Sequence, residues 1–133
     1  MSKQDPGSNY TITEGLSALS RGADTYYTDS VDHVNAECAS FAVSCGEWLT
    51  SFVATVQTCA TDSATHEDWA DQTDDGSGND ISTTFDAADF DTLNVPQPLN
   101  RYSRVKVVIG DTCVFGVVNI SGPLLNQEPD ATS

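Results

Sequence analysis

The segment from Ser30 to Thr61, SVDHVNAECASFAVSCGEWLTSFVATVQTCAT, constrains the fold more than any other part of the chain. Its larger apolar side chains recur at alternating steps of three and four residues, at Val31, Val34, Cys38, Phe41, Cys45, Trp48, Phe52 and then Val56 or Cys59. This spacing is typical of one face of an α-helix. Polar residues such as Asp32, Ser40 and Glu47 fall on the opposite face. The pattern predicts an amphipathic helix over about 30–60, which would be about 45 Å long.

The residue types in this segment argue against a helix. Val, Thr, Ser and Cys are mediocre helix formers, and Gly46 costs about 1 kcal/mol relative to alanine. A strand would need alternation of apolar and polar residues, which begins at Phe41 but is broken at Glu47. We give the apolar spacing more weight than propensity, and therefore predict a helix.

The rest of the chain predicts an α+β fold in one domain, 1–133. Residues 1–10 read as a flexible arm, and Thr11–Glu14 (TITE) has the form of a capping box that begins a short helix. A further short helical piece after Thr61 completes a helical part over 11–71, and an acidic loop follows over 72–80. Residues 81–122 read as a small antiparallel β region with a hairpin turn at Gly110-Asp111, and 123–133 as a tail.

The charge of the chain is its strongest compositional feature. There are 20 acidic and five basic residues, which gives a net charge of −15. Such a chain repels itself in dilute buffer, and molar salt shortens the range of that repulsion to about 3 Å. We expect a protein of a salt-loving organism or of its virus. Direct contact with nucleic acid is not expected, because a basic face is missing from the sequence.

The acidic stretch from His66 to Asp80 has some of the residues of a cation site. A twelve-residue calcium loop beginning at Asp71 would place Ser82 where a bidentate glutamate is needed. The sequence HEDWA starts like a zinc motif, but Ala70 replaces its second histidine. His33 and Glu37 supply two ligands, which do not make a site. We expect a solvated loop, with no metal and no cofactor.

The four cysteines are expected to be buried thiols that act as small apolar residues. Cys38 and Cys45 would be about 10 Å apart on a helix, which is too far for a disulfide. A bridge between Cys59 and Cys113 stays open.

Motifs of catalysis and targeting are absent from the sequence. It contains neither the nucleophile motif G-x-S-x-G nor a glycine-rich phosphate loop, so we do not expect an enzyme. The N-terminus has no apolar segment, so we expect no signal peptide, and no apolar run is long enough to cross a membrane. Asn9 and Asn119 match the glycosylation tripeptide, which is common by chance.

Self-association is the expected role of the apolar stripe, because it offers more surface than a small β region can cover. We therefore expect Phe41, Trp48 and Phe52 to contribute to an interface. Arg101, Arg104 and Lys106 form a basic cluster that could meet the acidic surface of another copy.

These expectations favour a structural subunit of a salt-adapted homo-oligomeric assembly. We expect a virion component of the capsid-accessory or tail type, whose partners are copies of itself and other assembly proteins. The alternative is a cytoplasmic protein-binding or adaptor module of a halophilic organism.

Overall fold

The computed structural model describes residues 11–34, 36–46, 51–72, 81–96 and 98–124, which form two antiparallel β-sheets. The first sheet has the strand order β1–β10–β4–β8, with β1 at Thr11–Arg21, β4 at Ala36–Cys45, β8 at Asp89–Val95 and β10 at Cys113–Leu124. The second sheet has the order β2–β9–β5–β6, with β2 at Asp24–Tyr27, β5 at Phe52–Cys59, β6 at Ala70–Asp71 and β9 at Tyr102–Ile109. Two further strands pair with it, β3 (Val31–Asp32) with β9 and β7 (Ser82–Phe85) with β5. In these ranges, no helix is long and apolar enough to cross a membrane.

The two sheets pack face to face around one apolar core. Phe41 and Phe115 of the first sheet and Phe52 of the second are at most 1% exposed. The rings of Phe52 and Phe115 meet edge to face at 5.3 Å between centroids, and Phe52 stacks on Phe85 at 5.1 Å. Buried aromatic pairs of this kind stabilise a fold beyond the area they bury. The architecture is a β-sandwich.

The predicted α+β fold with a long helix over about 30–60 is wrong. Strands β3, β4 and β5 occupy this segment. On β4 the buried residues alternate with less buried ones, so that Ala39, Phe41, Val43 and Cys45 face the core and Ser40, Ala42 and Ser44 face outward. Phe41 and Cys45 are four residues apart, a spacing that a helix and a strand both place on one side. The break in alternation near Glu47 follows the end of β4 at Cys45, so the polar–apolar pattern was interrupted by the end of a strand.

Other predicted elements are corrected as well. The capping box at Thr11 begins β1 and not a helix, and the helical piece after Thr61 is a single 3-10 turn at His66–Asp68. The predicted strands around 104–109 and 113–120 exist as β9 and β10, but they lie in different sheets. Gly110-Asp111 therefore connects the two layers of the sandwich and does not close a hairpin. The predicted arm 1–10, most of the acidic loop 72–80 and most of the tail 123–133 lie outside the described residues.

Strand β1 is irregular where Gly15 lies against Asn119. The pairing of β1 with β10 shifts register between Glu14 and Leu16. A Cβ at Gly15 would lie 2.4 Å from Oδ1 of Asn119, so a larger residue cannot be accommodated without movement. Asn119 is 1% exposed, and its Nδ2 donates to the carbonyl of Asp29 at 3.0 Å. The glycosylation tripeptide at Asn119 is thus buried in the fold.

Candidate functional site

The three basic residues of the predicted interface lie along β9 but have different environments. Arg101, just before the strand, is half exposed and donates from Nε and Nη2 to the two carboxylate oxygens of Asp32, each at 2.9 Å. These hydrogen bonds lower the pKa of Asp32 to about 2. Nζ of Lys106 lies 3.3 Å from Oδ1 of Asp71. The exposed Arg101 and the partly buried Lys106 are therefore both paired with carboxylates of the same chain.

Arg104 is buried, with 5% of its surface exposed. Its guanidinium lies between the rings of Tyr27 and Trp69, 4.2 Å from each centroid. Nε and Nη2 both donate to Oε1 of Gln57 at 3.1 Å, and Nε2 of Gln57 donates to Asp71 at 3.1 Å. Burial lowers the pKa of the Arg104 guanidinium. The sequence pattern singled out Arg104 but did not indicate that Tyr27, Trp69 and Gln57 enclose its guanidinium.

The stack around Arg104 attaches the segment 60–71 to the outer side of the second sheet. His66 stacks on the far side of Tyr27 with ring centroids 3.8 Å apart. Trp69 is 6% exposed, and its Nε1 donates to the carbonyl of Ser63 at 3.0 Å. Cation–π contacts with a desolvated guanidinium are among the stronger interactions of this type. Arg104 therefore holds the chain's own segment in place, and its side chain is not presented to another copy.

A polar cleft of about 320 Å³ opens beside this stack, lined by Thr28, Asp29, Ser30, Asp62, Trp69 and Arg104. Ser30 Oγ donates to Oδ1 of Asp62 at 2.7 Å. The groups in the cleft can hydrogen-bond a small polar molecule. Among the described residues, no group of three or more His, Cys, Asp or Glu side chains is placed to hold a metal ion.

One serine–histidine contact has the composition of a catalytic pair. Nε2 of His33 and Oγ of Ser103 are 2.7 Å apart, within hydrogen-bond distance. Ser103 is completely buried. A substrate cannot reach its hydroxyl in this arrangement. We therefore interpret the contact as a hydrogen bond that satisfies a buried polar side chain.

The aromatic residues predicted for an interface are placed elsewhere. Phe41 and Phe52 are 0% exposed and lie in the core between the sheets. Their contacts in this structure are with other core residues of the same chain. Trp48 lies outside the described residues.

The outward side of the first sheet is a second candidate site, which we call the first outer face. The register of the four adjacent strands places its members on one side of the sheet. They are Ile12, Glu14, Ser40, Ala42, Ser44, Phe90, Thr92, Asn94, Val118 and Ile120. Ser40 Oγ lies 2.7 Å from Oδ1 of Asn94 on the neighbouring strand, as expected for side chains on one side. Glu14 supplies the one charge in this set.

Large apolar side chains remain exposed on the first outer face. Phe90 is 61% exposed, Ile12 60% and Val118 40%. The opposite side of the sandwich, the second outer face, is formed by Tyr27, Val53, Thr55, Gln57, Asp71, Arg104, Lys106 and Val108. It holds three charged side chains, Asp71, Lys106 and the stacked Arg104. Sequence reasoning missed the first outer face, although the alternation of Phe41 and Val43 with Ser40, Ala42 and Ser44 was a signal that could have found it.

The sequence matches no family model and no curated protein. Its fold is similar to part of XepA, an exported protein of PBSX, with a TM-score of 0.61 and 10% identity over 96% of this chain and 41% of XepA. PirA gives a TM-score of 0.49 at 13% identity over 90% of this chain and 95% of PirA. A chain from infectious bursal disease virus, Gx strain, gives 0.44 at 11% identity, over 84% of this chain and 32% of the viral one.

The similarity to XepA establishes the type of fold. This chain spans less than half of the length of XepA. The neighbours include a phage exported protein and a viral chain, and at these identities the likeness concerns architecture alone.

Proposed function

We propose that this protein is a non-enzymatic structural subunit of a salt-adapted homo-oligomeric assembly, and that the assembly is a virus particle. The first outer face is the contact surface in this proposal. Its partner is a second copy of the same chain.

The observation that carries the proposal is the exposure of Ile12, Phe90 and Val118 on the same side of the first sheet. Copies with a net charge of −15 repel one another. They can approach most easily through a surface that holds few carboxylates, and the first outer face holds Glu14 alone. Exposed apolar side chains with a polar rim are a feature of protein contact sites.

The size of the face limits the strength of a single contact. Four strands about 4.8 Å apart give a face roughly 15 Å wide, and about six residues along each strand give roughly 20 Å of length. The resulting 300 Å² or so is well below the roughly 800 Å² that each partner contributes to a stable interface. One such contact would be weak, so we expect association that rises with concentration and becomes stable only where several contacts combine.

The fold comparison supports the placement in a particle or outside the cell. XepA is an exported protein of PBSX, and a part of it has the same type of fold. We transfer this location to the present chain as part of the proposal.

Two valines give a matched test of the contact surface. Val118 on the first outer face is 40% exposed and Val108 on the second outer face is 39% exposed. We expect Val118→Glu to lower the oligomer fraction by an order of magnitude at a given concentration and Val108→Glu to leave it unchanged. Sedimentation velocity in molar KCl measures both. A wild-type chain that stays monomeric at high micromolar concentration contradicts the self-association, and equal effects of the two variants contradict the choice of face.

Salt dependence tests the adaptation to a saline environment. The net charge of the chain is −15, so its carboxylates repel one another. We expect the melting temperature to rise between about 0.1 M and 1 M KCl, because the screening length falls from about 10 Å to about 3 Å. Circular dichroism across the series measures it. A melting temperature that is the same at 10 mM and 1 M salt rejects the salt-adapted part of the proposal and leaves the contact surface to be judged by the valine pair.

A further inference from the structure

Cys45 and Cys113 lie side by side at one end of the sandwich. Cys45 is the last residue of β4 and Cys113 the first of β10, which are neighbours in the first sheet. Their Sγ atoms are 3.1 Å apart. The register pairs Cys45 with Phe115. Cys113 lies two residues before Phe115 on β10 and therefore faces the same, core-facing side. The sequence left open a bridge from Cys113 to Cys59, which belongs to the other sheet.

The position of Cys59 excludes it as the partner of Cys113. Cys59 pairs with Tyr102 at the far end of β5, whereas Phe52 pairs with Ile109 at the near end, just before the connection to Cys113. Seven residues along a strand correspond to roughly 23 Å. A bridge between Cys59 and Cys113 would require the sandwich to come apart.

We propose that Cys45 and Cys113 form an intramolecular disulfide when the protein meets a disulfide oxidant of the glutathione type. The sulfur atoms need to approach by about 1 Å to reach the bond length of about 2.05 Å. A rearrangement of strands is unnecessary, because both side chains already point to the same place.

The chemistry takes two exchange steps. The thiolate of one cysteine attacks a sulfur of glutathione disulfide, forming a mixed disulfide and releasing one glutathione thiolate. The second cysteine then attacks the protein sulfur of that mixed disulfide and releases the other glutathione. Two protons and two electrons pass from the cysteines to glutathione disulfide, which is reduced to two glutathione molecules.

Burial decides when the bridge can form. Cys45 is 4% exposed and Cys113 1%, while Gly46 and Thr112 beside them are exposed. An oxidant therefore reaches the pair during folding, or when this end of the sandwich opens. Once formed, the bond is shielded from reductants by the same burial.

The bridge would close a large loop. The two cysteines are 68 positions apart, and the chain between them includes β5, β6, β7 and β9 of the second sheet. Cross-linking a loop of that length restricts the unfolded chain strongly in the chain-entropy account. We expect the melting temperature of the oxidised protein to exceed that of the reduced one by on the order of 10 °C.

The test uses the full wild-type chain, reduced, unfolded and then refolded in a buffer of reduced and oxidised glutathione. The product is denatured without reductant, alkylated and mapped by mass spectrometry. We expect a linked pair of peptides that contains Cys45 and Cys113, with alkylated Cys38 and Cys59. Alkylation of all four cysteines would overturn the proposal, as would a bridge to Cys38 or Cys59, or glutathione left on Cys45 or Cys113.

Variants extend the test to stability. Cys113→Ser should remove the dependence of the melting temperature on reductant, whereas Cys38→Ser and Cys59→Ser should keep it. If Cys113→Ser does not fold, the peptide map of the wild-type chain still decides the question.

Discussion

On the outer side of the second sheet, the chain's own segment 60–71 packs over Tyr27 and Arg104, whereas Phe90 and Val118 on the outer side of the first sheet remain exposed. Both faces are built from antiparallel strands, which are 7–12 residues long in the first sheet and 2–8 residues long in the second. They differ in the side chains that point outward. A buried guanidinium needs hydrogen-bond acceptors and stacking partners, and the chain supplies them through Gln57 and Trp69.

The first outer face offers no comparable group. Polar side chains on neighbouring strands can hydrogen-bond one another, as Ser40 does by donating to Asn94. Its aliphatic and aromatic side chains gain from contact with other apolar surface. The second outer face therefore contributes to the fold, and in the proposed function the first outer face is the contact surface.

The largest effect should separate the two sides of a single strand. Phe41 on the inner side of β4 is fully buried, and Ser44 on its outer side is exposed. We expect Phe41→Ala to lower the free energy of unfolding by about 3–5 kcal/mol, because it leaves a cavity in a close-packed core. Ser44→Ala should change it by less than about 0.5 kcal/mol. Denaturant unfolding measures both, and a large effect at Ser44 would contradict an outer face that contributes little to stability.

Arg104 should show the next largest effect. Replacing it with alanine removes two hydrogen bonds to Gln57 and leaves a gap between Tyr27 and Trp69. We expect a loss of about 3 kcal/mol in the free energy of unfolding. Arg104→Lys should recover only part of it, because an ammonium group lacks the planar fork and stacks poorly.

The exposed Arg101 supplies the control for Arg104. Its replacement by alanine should cost far less, since its ion pair with Asp32 is open to solvent. Equal losses at the two positions would mean that burial and stacking do not distinguish the faces. Because Arg104 is buried, reversing its charge is unsuitable as a test of association, and the valine pair takes that place.

Two segments of the chain differ in how well their secondary structure could be predicted from the sequence. Val105, Val107 and Ile109 alternate with Arg104, Lys106 and Val108, and this pattern predicted β9 correctly. The segment 31–59 contains three strands, and the positions of its apolar residues happen to fit a helical period as well. The alternation of apolar and polar residues stops near Gly46 because strand β4 ends there. The low helix propensity of Val, Thr and Cys indicated the strands more reliably than the apolar spacing did.

The partners of the candidate site could not be obtained from the sequence. Arg104 meets Gln57 because β9 pairs with β5, and meets Trp69 because segment 60–71 folds back over the sheet. Both contacts join residues that are far apart along the chain. Cys45 and Cys113 came together for the same reason, although each was correctly expected to be buried.

The smallest effect concerns the edge of the second sheet, where Arg101 donates two hydrogen bonds to Asp32. These hydrogen bonds lower the pKa of Asp32 from its ordinary 3.8 to about 2. A pKa that is lower in the folded than in the unfolded chain means that ionised Asp32 favours the fold above about pH 4. This contribution is lost as the pH falls from about 4 to about 2.

Arg101→Gln should return the pKa of Asp32 towards 3.8 and flatten the pH dependence of stability in that window. The change in stability should be small, because both side chains are more than a third exposed and solvent screens the pair. Titration of the side-chain carboxyl signal by NMR measures the pKa directly. Lys106→Gln is the matched control, since Lys106 pairs with Asp71 and should leave Asp32 unchanged. An Asp32 pKa that stays near 2 in Arg101→Gln would show that another group, and not the exposed arginine, holds this carboxylate at the sheet edge.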